Sequence, residues 1–159
     1  MKKIWPLAIK TIFAIVIIAA LPYLGYIAWV LGGSTFHQMK WQSKGATSYE
    51  IKSDLNDFSP IRGVNILEVK NGEIEKVTVV ETQFPGDKHD LQDYEELTIE
   101  GMFRKAFDCV SEFPRLICSF EYDSEYGFPT KVNVDCPNPD TCYESYETLD
   151  VLYVHFLEK

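Results

Sequence analysis

An uncharged and mostly apolar run of 23 residues, Thr11–Gly33, is the feature that most limits how this chain can fold. About 20 such residues are enough for a helix to span the hydrocarbon core of a bilayer. A buried core helix seldom runs this long without a polar face. The sequence therefore predicts a transmembrane segment within residues 1–33.

The residues around this run indicate its orientation and its processing. Three lysines precede it and two, Lys40 and Lys44, follow it, a modest bias that favours a cytoplasmic N-terminus. Signal peptides have an apolar region of only about 7–15 residues before a small-x-small cleavage site, and Leu31-Gly32-Gly33 matches such a site poorly. We therefore expect an uncleaved signal anchor, with secretion after cleavage as the alternative. Aromatic residues lie toward the outer end of the run, as in an interfacial belt: Tyr23, Tyr26, Trp29 and Trp41.

Charge divides the chain in the same way. All 24 acidic residues and 12 of the 15 basic residues lie beyond Gly33, so the predicted exported part carries a net charge of −12. Such a surface repels phosphate backbones, and we expect no nucleic-acid partner. The predicted organisation is a transmembrane signal anchor (residues 1–33), a polar juxtamembrane linker (residues 34–47) and an exported domain (residues 48–159).

Four cysteines in the distal half favour disulfide bonds: Cys109, Cys118, Cys136 and Cys142. An even number of cysteines beyond a membrane segment is typical of an oxidising compartment. Structural zinc sites usually take their ligands from Cys-x2–4-Cys pairs, which neither spacing here fits. Among the three possible connectivities we predict the sequential one, with Cys109 bonded to Cys118 and Cys136 to Cys142.

The first half of the predicted domain is rich in β-forming residues. Tyr49–Phe58 is a candidate strand, and residues 63–81 form two further strands joined by Asn71-Gly72. Asn-Gly suits a type I′ turn, because both central residues need a positive φ. Counting back from the turn pairs Val69 with Ile74, Ile66 with Val77 and Val64 with Val79, and a bulge between them is an alternative that stays open.

An amphipathic helix is predicted after the polar, acidic loop Gln83–Glu96. Apolar residues recur at helical spacing on one stripe: Ile99, Met102, Phe103, Ala106, Phe107 and Val110. Thr98 is a suitable N-cap, and Pro114 should stop the helix. Further strands are predicted over residues 116–122, 128–135 and 150–157. The fold class is therefore α+β, an antiparallel sheet with one amphipathic helix packed on a face.

The turn between the predicted strands at 116–122 and 128–135 has unusual composition. Gly127 is expected at positive φ, and Pro129 suits the first residues of an edge strand. Pairing Tyr122 with Phe128 would set Cys118 opposite Val132. The carboxylates here lack the Asp-x-Asp-x-Asp-Gly alternation of a calcium loop. We interpret the segment as a structural turn, with a role in interaction as the alternative; the residues concerned are Tyr122, Asp123, Tyr126, Gly127, Pro129 and Asp135.

Several of these segments together resemble a bacterial domain of unknown function that occurs in secreted proteins and lipoproteins. The resemblance rests on Trp41-x3-Gly45-x3-Tyr49-Glu50, the strands around Asn71-Gly72, Thr98–Phe103, Tyr122–Thr130 and Val132–Asp135. It implies an exported α+β domain and supplies no catalytic residues. Together with the predicted anchor, we expect this domain on the outer side of a bacterial cytoplasmic membrane. The chain departs from the lipoprotein members because no cysteine for acylation follows the apolar run.

Signatures of catalysis are missing from the sequence. We find no Gly-x-Ser-x-Gly elbow, His-Glu-x-x-His pair, phosphate-binding glycine loop or dinucleotide fingerprint, and we expect no catalytic residue, metal or cofactor. The leading hypothesis is a non-catalytic, membrane-tethered module that binds a protein or another envelope component. The alternative is an envelope hydrolase that uses unrecognised carboxylates. Clustering of Asp123, Asp135 and an acid from the helix or the acidic loop in one concave pocket would favour the hydrolase. An open sheet face or a flat apolar patch would favour the binding module.

Overall fold

The computed structural model describes residues 4–57, 59–82, 89–138 and 147–157, and the side chains of these from residue 9 onward. Within this part, two α-helices and six β-strands follow one another along the chain, with a short 3-10 helix, Leu91–Leu97, before the second α-helix. The elements are α1 (Ile4–Lys44), β1 (Tyr49–Asn56), β2 (Gly63–Lys70), β3 (Glu73–Thr82), α2 (Ile99–Ser111), β4 (Ile117–Tyr122), β5 (Pro129–Asp135) and β6 (Glu147–Phe156).

The six strands form one antiparallel sheet in the order β3-β2-β1-β6-β5-β4. The last strand, β6, lies in the middle and pairs with β1 on one side and β5 on the other. It thereby joins the β1–β2–β3 meander to the β4–β5 hairpin. The predicted α+β class is confirmed, with α2 as the amphipathic helix.

One face of the sheet is covered by helices, and we call it the inner face. Side chains alternate along β1, where Tyr49, Ile51, Ser53 and Leu55 are buried and the residues between them are partly exposed. The inner face packs against α2, the 3-10 helix and the C-terminal part of α1 in one cluster. Its largest buried members are Tyr49, Phe103, Ile51, Leu55, Leu67, Leu97, Ile99, Met102 and Leu149.

Helix α1 corrects the predicted domain organisation. It runs without a break to Lys44, so residues 34–44 are helical where a juxtamembrane linker was predicted. The reason is tertiary packing, because Ser34 and Trp41 are 0% and 3% exposed against the sheet domain. The helix ends at Lys44, and the next residue, Gly45, closes the last turn with a φ of +65° and a backbone N–H that donates to the Gln42 carbonyl.

The hairpin between β2 and β3 forms around the predicted turn. Asn71 and Gly72 have φ values of +52° and +85°, and Val69 pairs with Ile74 as expected. A bulge between Glu68 and Val69 then shifts the register. The other two predicted pairs are therefore wrong: Val77 lies opposite Leu67, and Val79 opposite Asn65.

The β4–β5 hairpin and α2 also differ in detail from the predictions. A bulge after Glu121 sets Tyr122 opposite Pro129, one residue from its predicted partner, and Cys118 opposite Val134, two residues from its predicted partner. In α2 the buried stripe includes Cys109 instead of Phe107, which is 46% exposed, because Cys109 is bonded to Cys118 on β4. In the predicted acidic loop, residues 91–96 belong to the 3-10 helix, and residues 83–88 lie outside the described part.

Candidate functional site

The turn between β4 and β5 is held by the side chain and backbone of Asp123. Its Oδ1 accepts hydrogen bonds from the backbone N–H groups of Glu125, at 2.9 Å, and Tyr126, at 2.6 Å. The Gly127 N–H donates to the Asp123 carbonyl at 3.0 Å. Gly127 has a φ of +85°, as the sequence predicts. Asp123 thus forms an Asx turn, a geometry in which the carboxylate serves its own backbone.

This turn is also where α1 docks. The ring of His37 stacks on that of Tyr122, with centroids 4.1 Å apart and planes 2° from parallel. The Lys40 ammonium donates to the Ser124 carbonyl. A Cβ on Gly127 would lie 2.8 Å from the His37 carbonyl oxygen, so the glycine lets the helix approach. The turn segment is therefore a seat for α1.

Sequence reasoning missed the α1 side of this contact. His37, Lys40, Trp41 and Lys44 follow the i, i+3, i+4, i+7 spacing of one helix face. That signal was present in the segment that was interpreted as a linker. Lys44 completes the contact, with its ammonium 5.3 Å from the centroid of the Tyr126 ring.

Three further residues from the segments that carry the family resemblance, Trp41, Tyr49 and Glu100, connect α1, β1 and α2. The indole N–H of Trp41 donates to one carboxylate oxygen of Glu100 at 3.1 Å, and the Tyr49 hydroxyl donates to the other at 2.6 Å. The backbone N–H of Ile99 donates to the Tyr49 hydroxyl at 3.1 Å. Burial, reinforced by Glu100, raises the pKa of Tyr49, so the phenol stays protonated. Glu100 therefore fixes α1, β1 and α2 to one another.

The disulfide between Cys109 and Cys118, predicted from the sequence, joins the end of α2 to β4. It lies beside α1, because the Cys118 N–H donates to the Tyr26 hydroxyl at 2.9 Å. The rings of Tyr23 and Tyr26 lie 5.2 Å and 4.6 Å from that of Phe113. Cys136 is also disulfide-bonded, and its predicted partner, Cys142, lies outside the described residues.

Asp123 and Asp135, which would have to lie close together in a hydrolase active site, are far apart in the structure. Asp123 follows β4 at the turn, whereas Asp135 pairs with Ile117 at the opposite end of the hairpin. Six residues of strand correspond to about 20 Å. In the part of the chain that the structure describes, no group of three or more His, Cys, Asp or Glu side chains is arranged to hold a metal ion.

A cleft between α1 and β4 is small. Its volume is about 190 Å³, below the roughly 300–1,000 Å³ of typical small-molecule sites. Burial and the neighbouring charge of Lys40 lower the pKa of His37, which faces this cleft. The imidazole is therefore neutral near pH 7, which suits its stacking on Tyr122. The cleft is lined by Trp29, Val30, Gly33, His37, Phe120 and Tyr122.

A larger cavity, of about 440 Å³, lies beside α2 and contains a buried ion-pair group. Lys105 contacts Glu147 and, at 2.9 Å, Glu96. Burial alone would lower the pKa of Lys105, but the carboxylates of Glu147 and Glu96 together raise it. The ammonium supplies one positive charge for two carboxylates, and burial raises the pKa of the Glu147 carboxyl despite the attraction of Lys105.

The face of the sheet that points away from the helices, which we call the outer face, is polar. The pairing register places eight carboxylates and four ammonium groups on it. Leu152 and Tyr153 on β6 are 52% and 40% exposed, and the Tyr153 hydroxyl donates to Glu50 at 2.8 Å. The carboxylates belong to Glu50, Asp54, Glu68, Glu73, Glu81, Glu121, Asp135 and Asp150, and the ammonium groups to Lys52, Lys70, Lys76 and Lys131.

The fold defines the class of this chain as an α+β domain that follows a long apolar helix. A model of a family of unknown function, DUF6174, matches residues 34–141. The match covers more than half of the chain, and the chain belongs to this family. Neither the curated proteins nor the solved structures contain a significant match. The match begins at Ser34, so the last turns of α1, residues 34–44, lie within the matched region, whereas Tyr26 and Val30 precede it.

Proposed function

We propose that this chain is a non-catalytic, membrane-anchored module that binds an envelope protein through the outer face of its sheet. The single observation that carries the proposal is the contrast between the two faces. Helices cover the inner face, whereas no described element packs on the outer one. The excess of carboxylates there fits a partner surface rich in lysine and arginine, because complementary charge steers association.

The anchor is the N-terminal part of α1. This helix is long and apolar enough to cross a membrane, with a mean hydropathy of 2.2 and almost no buried residues in its most apolar window. A signal sequence passes the same test. Retention is supported by Tyr26 and Val30, which pack on the sheet domain and would be lost by cleavage near Ser34. We place the domain on the outer side of a bacterial cytoplasmic membrane, where the disulfide would persist.

The hydrolase alternative has less support. Asp123 is occupied by its own turn and lies about 20 Å from Asp135 along the hairpin. The residues that the resemblance singles out, Trp41, Tyr49 and Gly127, make intramolecular contacts. They hold the fold and leave the outer face as the surface for a partner.

Affinity capture of the full-length chain from its native envelope after mild cross-linking tests the binding proposal. We expect Asp54→Lys combined with Tyr153→Ala, two changes on the outer face, to reduce recovery of the partner at least tenfold. Glu125→Lys, an equal charge change in the exposed β4–β5 turn, serves as the matched control and should leave recovery unchanged. Partner recovery that survives the outer-face changes and is lost with Glu125→Lys would reject the outer face.

A further inference from the structure

The sheet domain lies alongside α1 and does not sit beyond its end. Trp41, near the C-terminus of α1, bonds Glu100 at the start of α2, whereas Tyr23 contacts Phe113 just after the end of α2. Helix α2 therefore runs antiparallel to α1. Its C-terminal end and the residues that follow point toward the apolar N-terminal part of α1.

Counting residues along α1 gives the depth in the membrane at which Tyr23 and Tyr26 contact the sheet domain. The side chains from Ile9 to Leu24 are mostly exposed, as expected for a helix that faces lipid. At 1.5 Å per residue, Tyr26 lies about 24 Å from Lys10 and about 33 Å from Ile4. The hydrocarbon core is about 30 Å thick. Whichever of these residues marks the inner boundary, Tyr26 falls within the outer leaflet or at its edge.

The loop that contacts Tyr23 and Tyr26 must then be at the same level. Residues 112–116, which we call the membrane-proximal loop, include the apolar residues Phe113, Pro114 and Leu116, and Ile117 follows as the first residue of β4. Pro114 is exposed, and Ile117 is 41% exposed. The two charged residues of the loop, Glu112 and Arg115, pair at 2.9 Å. An apolar loop whose charges neutralise each other fits the boundary between headgroups and acyl chains.

We propose that the membrane-proximal loop inserts into the outer leaflet of the membrane that α1 spans, as a second membrane contact of the domain. The proposal rests on the anchor described under the proposed function. The domain carries a strong excess of negative charge, so it is not attracted to anionic headgroups. We therefore expect the loop to bind through its apolar side chains, without a requirement for anionic lipid. The Cys109–Cys118 disulfide, on either side of the loop, holds it against α1.

Photo-cross-linking in liposomes of phosphatidylcholine tests this inference with the full-length chain. The probe p-benzoylphenylalanine replaces Phe113, and in separate variants Ile117, Ile15 or Tyr153. We expect lipid adducts, read as a lipid mass on the labelled peptide, at Phe113, Ile117 and Ile15. Tyr153, on the outer face of the sheet, should give less than a tenth of that yield. Peptide mapping of the Cys109–Cys118 bond checks that each variant is folded.

The outcomes separate the loop contact from the anchor. Adducts at Ile15 without adducts at Phe113 or Ile117 reject the inserted loop and leave the anchor standing. No adduct at Ile15, Phe113 or Ile117 rejects both. Adducts at the loop that form only when phosphatidylglycerol is added also overturn the proposal, because they would show an electrostatic contact instead of apolar insertion.

Discussion

Gly127 is subject to two separate constraints, and each excludes a side chain for its own reason. Its φ of +85° lies in the left-handed region that L-residues rarely adopt. In addition, an added Cβ would lie 2.8 Å from the backbone of α1. Gly72 has the same φ but no atom within 4 Å of an added Cβ. Substitution of Gly72 thus measures the backbone strain alone, whereas substitution of Gly127 measures that strain together with the loss of contact with α1.

We predict that Gly127→Ala destabilises the domain more than Gly72→Ala. Both variants incur the cost of a non-glycine residue at positive φ, about 1–2 kcal/mol. Gly127→Ala should add about 1–3 kcal/mol, because α1 must shift or the turn must deform. Denaturant melts of the full-length chain in detergent measure the difference. Equal losses for the two variants would show that α1 does not press on the turn.

The sequence could predict the conformation of Gly127 but not its contact. A turn before an aromatic-proline pair indicates a positive φ by local rules. The His37 carbonyl comes from a helix 90 residues away in the chain, and only the tertiary fold brings it there. The same limit applies to Tyr122, whose stacking partner was interpreted as part of a linker.

At the scale of elements, α2 is attached to β6 by the buried Lys105, which lies between Glu96 and Glu147. The lysine side chain is 13% exposed. Lys70 makes a similar set of contacts, with Glu68 and Glu75 at 3.0 Å and 2.6 Å, but its side chain is 43% exposed. Breaking a buried pair leaves an uncompensated charge in a poorly hydrated site, whereas solvent screens an exposed pair.

We predict that Lys105→Met costs about 2–4 kcal/mol of unfolding free energy near pH 7. Lys70→Met should cost less than about 1 kcal/mol. Because the pKa of Lys105 is raised above its ordinary 10.5, its contribution is fully present below pH 10.5 and is lost as the pH rises through the higher folded value. Urea melts at pH 7 and above pH 10.5 measure both effects. A Lys105→Met penalty that persists undiminished in strong alkali would contradict the ion-pair explanation.

The elements themselves were largely predictable, and their registers were not. Alternation, Asn71-Gly72 and the Thr98 cap place the strands, the first turn and α2 by local rules. The bulges after Glu68 and Glu121 moved the pairing by one or two residues. A bulge depends on how the neighbouring strands pack, so periodicity along one strand does not indicate it.

At the scale of the whole molecule, α1 belongs both to the apolar segment and to the folded domain. Val30, Ser34 and Trp41 are buried against the sheet domain, and Tyr26 bonds the backbone of β4. The helix thus has no boundary at the end of the apolar run, which is where a cleavage site or linker would fall.

We predict that a chain beginning at Pro22 is more stable than one beginning at Ser34 by about 2–4 kcal/mol. The difference reflects the buried Val30 side chain and the Tyr26 hydrogen bond to Cys118. Denaturant melts of the two fragments in the same detergent provide the measurement. For the native protein, intact-mass analysis should find residues 22–33 still attached. A native chain that begins at Ser34 and is as stable as the longer fragment would contradict this prediction.

Because α1 is continuous, it fixes the rotation of the domain about the helix axis as well as its height above the membrane. Each helical residue turns the chain by 100° and raises it by 1.5 Å. One residue inserted between the apolar segment and Tyr23 would therefore rotate the outer face by about 100° and raise it by only about 1.5 Å. Four inserted residues would return the outer face to within about 40° of its original direction and raise the domain by about 6 Å. The number of residues in the helix thus sets the direction from which a membrane-bound partner can approach.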